Sequence, residues 1–286
     1  MKFINRIKSR IFHYTWDLAY GKYNESIIEK GLRKNDVRVV HNPYKDKWFA
    51  DPFIYDEDDL YLHLFVEEFD KKVKRGRIAH IKIDKASNTI DSCNIILDLP
   101  THLSFPAIYR VGDKVYVQPE NFSSGCSYIY EYDKDSDSLV NQMMVVDMPL
   151  TDAVIHAVNN GYEMSATVGD DSNGSVLSIF KSMSFTGPYH VNGTMVFPNN
   201  SARMAGRFIE TEDNIVRPAQ NCNGDYGKAV WFYKDNTVVG KLLPWGKYDG
   251  LHTFNIFGDT FVIDLKKYDN VILYRVKELI KRLING

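Results

Sequence analysis

The residues best suited to chemistry fall into two layers at matched intervals along the chain. One layer holds Asp51, Ser104 beside Phe105, Asp152, Arg203 beside Ala205, and His252. The other lies 15 or 16 positions beyond these landmarks and holds Glu67, Glu120, Thr167 and Gln220. Carboxylates in apolar runs are costly unless paired or solvated, so Asp51, Glu67, Glu120 and Asp152 need a reason to be there. Sugar chemistry supplies one. Glycosyl transfer by inversion uses one carboxylate as base and one protonated carboxyl as acid, about 6.5–9.5 Å apart across the sugar. The plainer alternative is that Asp51-Pro52 opens a turn and the glutamates satisfy backbone donors at strand ends. For any single residue that alternative serves as well, and only the group of four favours chemistry.

A second, basic constellation comprises Arg203, Arg207 and Arg217 with His102, His156 and His252. Guanidinium forks suit carboxylates and phosphates alike. These arginines either clamp an anionic group of the substrate, such as a donor diphosphate or a uronic acid, or neutralise the carboxylates. Both readings stay open. The candidate catalytic residues are therefore Asp51, Glu120 and Asp152. The candidate substrate-binding residues are Glu67, His102, Arg203, Arg207, Arg217, Gln220 and His252. Metal-ligand spacing, a phosphate-cradling glycine loop and a nucleophile elbow are all missing from the sequence, so neither metal nor cofactor is expected.

These positions recur because the sequence repeats. Asp51-Pro52-Phe53-Ile54-Tyr55 returns as Phe105-Pro106-Ala107-Ile108-Tyr109 and Asp152-Ala153-Val154-Ile155-His156. It returns again as Ala205-Gly206-Arg207-Phe208-Ile209 and His252-Thr253-Phe254-Asn255-Ile256. The first residues are 54, 47, 53 and 47 positions apart. A period of about 50 residues in strand-rich sequence marks a β-propeller with one four-stranded blade per repeat. The expectation is an all-β, five-bladed β-propeller over residues 36–275, with a lead-in segment at 1–35 and an amphipathic tail at 276–286. Ile4, Ile7, Ile11 and Ser26 to Lys30 give the lead-in helical hints, and it should pack on the rim or close the last blade. Blade one is expected from about Val37, with Leu60 to Glu67 as a buried inner strand and Arg77 to Asp84 as an alternating outer one. Blade five should use Thr260 to Asp264 and Val271 to Tyr274. Val276, Leu279, Ile280 and Leu283 fall on one side of a helix that either docks on the propeller or touches a membrane surface.

The bulk composition agrees with one domain. Aromatic content is 13 %, with 18 Tyr and 16 Phe, as sheet interfaces filled by flat residues require. A net charge of −2 gives no general affinity for nucleic acid. Three scattered cysteines make neither a disulfide framework nor a zinc site. No signal-peptide h-region follows the basic N-terminus and no run approaches a membrane span, so a cytoplasmic protein is expected, in at most peripheral contact with the inner face of the membrane.

Several segments carry a family resemblance. Phe49-Ala50-Asp51-Pro52-Phe53, His102-Leu103-Ser104-Phe105-Pro106, Pro119-Glu120, Asp152-Ala153, Arg217-Pro218-Ala219-Gln220 and Gly250-Leu251-His252-Thr253 look like one particular domain. It is the N-terminal domain of plant glucosamine inositolphosphorylceramide transferases, shared with stand-alone bacterial relatives. That domain is similar to the five-bladed propellers of arabinanase and β-xylosidase-type glycoside hydrolases. The match covers roughly residues 40 to 265. It implies a five-bladed propeller, a sugar or oligosaccharide substrate and, for bacterial members, a link to surface-polysaccharide assembly. Such hydrolases use a first-blade Asp as base, a second-blade Asp to orient and a third-blade Glu as acid. Asp51 matches the base, while Phe105 and Asp152 stand at the other two places and Glu120 is a substitute from the neighbouring layer. The leading expectation is a glycosyltransferase, with a nucleotide-sugar donor as an option. The alternatives are a glycoside hydrolase using the same carboxylates and a glycan-binding module without turnover, since in the plant protein a separate domain is assigned the transfer.

Overall fold

The structure, a computed structural model, describes residues 12–211 and 214–270. The chain opens with β1 (Phe12–Lys22), a short helix α1 (Ser26–Lys30) and β2 (Arg38–Val39). The first complete blade is β3 (Lys47–Glu57), β4 (Tyr61–Asp70), β5 (Arg75–Asp84) and β6 (Thr89–Leu97). The second is β7 (Ser104–Val111), β8 (Lys114–Glu120), β9 (Ser127–Asp133) and β10 (Ser138–Val146). The third is β11 (Leu150–Val158), β12 (Gly161–Val168), β13 (Val176–Ser182) and β14 (His190–Val196). The fourth is β15 (Ile209–Glu210), β16 (Ile215–Asn221), β17 (Ala229–Lys234) and β18 (Thr237–Leu242). The fifth takes β19 (Phe254–Phe257) and β20 (Thr260–Asn270) from the end of the chain and β1 and β2 from its start, in the order β19-β20-β1-β2. The protein is therefore an all-β, five-bladed propeller of four-stranded antiparallel sheets.

The strand patterns follow from burial. β4 is enclosed on both faces from Leu64 to Glu68, and Leu62, Leu64, Phe65 and Val66 are fully buried. The outermost strand of the third blade, β14, is exposed along nearly its whole length. Aromatic pairs staple successive blades. Phe53 meets Phe105 at 5.0 Å, Tyr109 meets Phe185 at 5.3 Å, Phe197 meets Tyr233 at 4.9 Å and Phe232 meets Phe254 at 5.3 Å.

The ends of the chain close the ring. β1 pairs with β20 through 11 consecutive residue pairs, from Phe12↔Asn270 to Lys22↔Thr260. The lead-in thus closes the last blade through a strand, and its expected helix at Ser26–Lys30 is present, followed by a 3-10 turn at Lys34–Asp36. Leu18 and Tyr20 pack into one core cluster and Ala19, buried between them, into another, the two-sided period of a strand. This closure moves the start of the first blade from Val37 to Lys47, because Arg38–Val39 pairs with Ala19 and Tyr20 in the fifth. Ile4, Ile7, Ile11, Val271 to Tyr274 and the tail from Val276 lie outside the described residues.

One local device recurs. Asp51, Phe105 and Asp152 have φ of 49°, 44° and 47°, each within a β-bulge on the first strand of its blade. Left-handed backbone costs a non-glycine residue on the order of 1–2 kcal/mol, so three equivalent instances mark a designed kink rather than noise. The kink turns the backbone N–H toward the axis. Asp51 N–H donates to Asp264 Oδ2 at 3.0 Å, and Phe105 N–H donates to Asp51 Oδ2 at 3.2 Å. The fifth blade is thereby linked to the first, and the first to the second.

Candidate functional site

The bulges at Asp51 and Asp152 place their side chains in two charge clusters beside the axis, while Phe105 packs on Phe53. In the first, Asp51 Oδ1 accepts from Thr253 Oγ1 at 2.8 Å and faces His252 Nε2 at 3.5 Å. Asp264, on β20, anchors this cluster from behind. Its Oδ1 accepts the N–H groups of His252 and Thr253 at 2.9 and 3.1 Å, and its Oδ2 lies 2.6 Å from His252 Nδ1. Trp16 stacks on the imidazole with ring centroids 3.9 Å apart. Asp51, His252 and Asp264 thus form a carboxylate–imidazole–carboxylate relay, each residue no more than 4 % exposed.

In the second cluster Arg203 is the hub. Its Nε donates to Asp152 Oδ2 at 2.6 Å, its Nη1 to Asn173 Oδ1 at 2.7 Å and its Nη2 to Glu120 Oε2 at 3.3 Å. Gln220 Nε2 adds a second bond to Asp152 Oδ2 at 2.5 Å. Tyr226, from the loop before β17, joins the clusters: Arg203 lies over its ring at 5.2 Å, and the ring stands edge-on to His252 at 5.3 Å. Buried Lys266 pins that loop through Asp225 and the Tyr226 carbonyl. Glu67 completes the set, with Oε1 3.3 Å from His102 Nε2. His102 Nδ1 accepts the Gly76 N–H at 2.9 Å, which leaves the proton on Nε2, facing Glu67.

Asp51, Glu67, Glu120, Asp152 and Asp264 outnumber the cations His252 and Arg203, so charge neutrality requires bound protons. Burial, reinforced by Asp152 and Asp264 against the pull of His252, raises Asp51 to about 6. Burial and then Asp51 and Glu120 push Glu67 well above the usual range. Burial and then Asp152 do the same to Glu120. A protonated Glu120 can donate to Asp152, whose Oδ1 has no other partner among the described residues. Burial would discharge His252, but Asp264 and Asp51 outweigh it and hold its pKa up. Burial likewise opposes ionisation of Asp264, and His252 with its own N–H reverses that. The arrangement therefore holds carboxyl groups of different proton affinity side by side, as acid–base chemistry needs.

Of the sequence candidates, Asp51, Glu67, Glu120, Asp152, Arg203, Gln220, His252 and His102 are brought together. Two arginines are not. Arg217 points into the wall between the third and fourth blades, giving hydrogen bonds to the carbonyls of Ala202 and Ser201 and lying over the rings of Phe197 and Tyr233. Burial there lowers its pKa to about 9. Arg207 is exposed, over the Tyr109 ring at 5.5 Å and beside Arg110, toward the far ends of the inner strands. His156 packs on Phe208 at 4.3 Å, also toward the far end of its strand. Arg203 itself is fully engaged by acids and Asn173, so it neutralises carboxylates rather than offering a free fork.

Asp264, Trp16 and Tyr226 escaped the repeat alignment. Asp264 had a signal, an acid between Phe261-Val262-Ile263 and Leu265, but it follows His252 by 12 positions rather than 15 or 16. Asp51, His252 and Asp264 also bring possible metal-ligand atoms within 4.8 Å of one another. Both oxygens of Asp264 and both of Asp51 already accept hydrogen bonds or face the imidazole, so a cation would compete with the relay.

Comparisons with known proteins bear on the family and the fold. Residues 37–242 match the family described as glucosamine inositolphosphorylceramide transferase 1, N-terminal. Glucosamine inositolphosphorylceramide transferase 1 of Oryza sativa subsp. japonica is 28 % identical over 199 residues, 67 % of this chain and 26 % of the plant protein. The Arabidopsis thaliana protein of that name is 28 % identical over 194 residues, 64 % of this chain and 25 % of its own. The chain thus spans about a quarter of the length of these relatives. Among solved structures, a GH43_1 enzyme from Xanthomonas citri complexed with xylotriose superposes with a TM-score of 0.51 at 11 % identity, over 73 % of this chain and 79 % of that one. RS223-β-xylosidase gives 0.50 at 12 % identity, over 74 % and 85 %. These likenesses establish the shared propeller fold. The chain belongs to the family of the N-terminal domain of glucosamine inositolphosphorylceramide transferase 1.

Proposed function

We propose that the axial cluster is a sugar site at which Asp51 acts as general base in glycosyl transfer, with Glu120 as the protonated partner. The observation that carries this reading is the pairing of an Asp51 carboxyl raised to about 6 with a Glu120 carboxyl held well above its usual range, both beside Arg203–Asp152. A base poised near neutrality and an acid that keeps its proton are the two halves of glycosyl chemistry. The relay through His252 to Asp264 orients Asp51, and the imidazolium balances the Asp51 carboxylate until the base takes up a proton. Asp152, Gln220 and Arg203 position Glu120, and Glu67 with His102 offers further hydrogen bonds to hydroxyls. The proposed setting is surface-glycan assembly at the cytoplasmic face of the membrane, with a nucleotide-sugar donor. No described helix is long and apolar enough to cross a membrane.

The test is product release from oligosaccharides with and without a panel of nucleotide sugars. Transfer requires the activated donor. Free sugar released without it would make the protein a hydrolase using the same carboxylates, and glycan binding with no turnover in either arm would make it a binding module.

A further inference from the structure

We propose that a cationic cleft between the first and fifth blades is a phosphate-binding subsite for the activated or lipid-linked sugar that the axial site handles, an inference that rests on the sugar reading above. A cavity of about 460 Å³ opens there, lined by Lys47, Lys71, Lys247 and Lys267 with Trp16, Trp48 and Tyr44. Its lining contains a single carboxylate, Asp17, and that group is already held by Lys267 at 2.6 and 2.8 Å and by the Tyr248 hydroxyl at 3.2 Å. Lys47 rests on Glu68 at 2.6 Å, but Glu68 is shared with Arg77 through two further bonds at 2.9 Å. The Lys71 ammonium donates to the Lys45 carbonyl, with no carboxylate partner among the described residues, and Lys247 lies over the Tyr248 ring at 5.2 Å. The lining therefore carries positive charge that its own carboxylates do not cancel, the condition for holding an anion of high charge density.

The cleft also shares its parts with the axial cluster. Trp16 lines it and stacks on His252, so one ring forms the partition between them. β3 carries Lys47 and Trp48 into the cleft and Asp51 to the axis, while β20 carries Lys267 and Asp264 in the same way. Three or four strand residues span roughly 10–13 Å, so a phosphate held by the lysines leaves an attached sugar within reach of Asp51. Trp48, stacked on Phe69 at 4.7 Å, and Tyr44 supply flat faces for a base or a sugar ring.

Titration calorimetry with pyrophosphate and with uridine diphosphate tests the proposal, on wild type and on the exposed-side pair Lys71→Gln with Lys247→Gln. Binding of both probes, weakened about tenfold or more in the double variant and by added salt, supports it. Tighter binding of uridine diphosphate than of pyrophosphate assigns the phosphate to a nucleotide donor, and equal binding assigns it to a lipid-linked sugar phosphate. Undetectable binding of either probe, or affinity unchanged in the double variant, overturns it. Asp51→Asn should bind pyrophosphate as wild type does, so loss of turnover in that variant with phosphate affinity intact separates the failure of one reading from the failure of the other.

Discussion

Replacing Asp51 by Asn should change the pH dependence of stability in a direction that follows from burial alone. Asp51 is 4 % exposed, and its carboxyl is raised from 3.8 to about 6. Between these values the folded protein binds a proton that the unfolded chain has released, so stability falls as pH rises through this window. A shift of about 2 units corresponds to about 3 kcal/mol, lost by the wild type between roughly pH 4 and 7. The amide has no proton to lose. Its oxygen can accept the Phe105 N–H and its NH₂ can face Thr253 Oγ1, which is free to rotate and accept. The His252 ring then needs a proton only on the nitrogen facing Asp264. Because more than half of that loss is already complete at pH 5, urea unfolding of both proteins at pH 5 and pH 7.5 should show the variant gaining about 1–1.5 kcal/mol relative to wild type at the higher pH. Because Asp51 faces His252 at 3.5 Å and each shifts the other, the window belongs to the pair. Parallel stability curves for the two proteins would refute the assignment of the raised group to Asp51.

Other outcomes follow from the same clusters. If Asp51 is the base, kcat/KM should climb as pH rises through about 6 and fall on the alkaline side when Glu120 gives up its proton; a flat profile from pH 5 to 8 would exclude both roles. Asp264→Ala strips the acceptor from three backbone N–H groups and the partner from His252, and should cost about 3–5 kcal/mol in denaturant unfolding, whereas a loss below about 1 kcal/mol would mean the relay is not structural. Deleting residues 1–22 removes the 11-pair partner of β20 and should abolish cooperative unfolding, and a deletion protein that still melts sharply would show that the fifth blade closes without β1.

The five-fold repeat was readable because every blade reuses Asp51, Phe105, Asp152, Ala205 or His252 at a similar interval, and the axial acids recur with it. What broke the pattern was closure. β1 and β2 come from the opposite end of the chain, so no repeat register points to them. Asp264 was hidden because it follows His252 by 12 positions, outside the 15- or 16-residue register of the other blades. Tyr226 sits in a polar loop whose sequence gives no sign of pointing to the axis. Arg217 misled for a physical reason: in a strand, neighbouring positions face opposite sides, and Gln220 reaches Asp152 while Arg217 is spent on carbonyls between blades.

The central claim, that Asp51 is a base acting on sugar, is met most directly by comparing turnover and glycan affinity of wild type and Asp51→Asn with a donor the wild type accepts. The account predicts that turnover drops by about 10²–10⁴, the usual worth of a positioned acid–base group, while glycan affinity survives because the amide still offers hydrogen bonds to a hydroxyl. Full turnover in Asp51→Asn would contradict it.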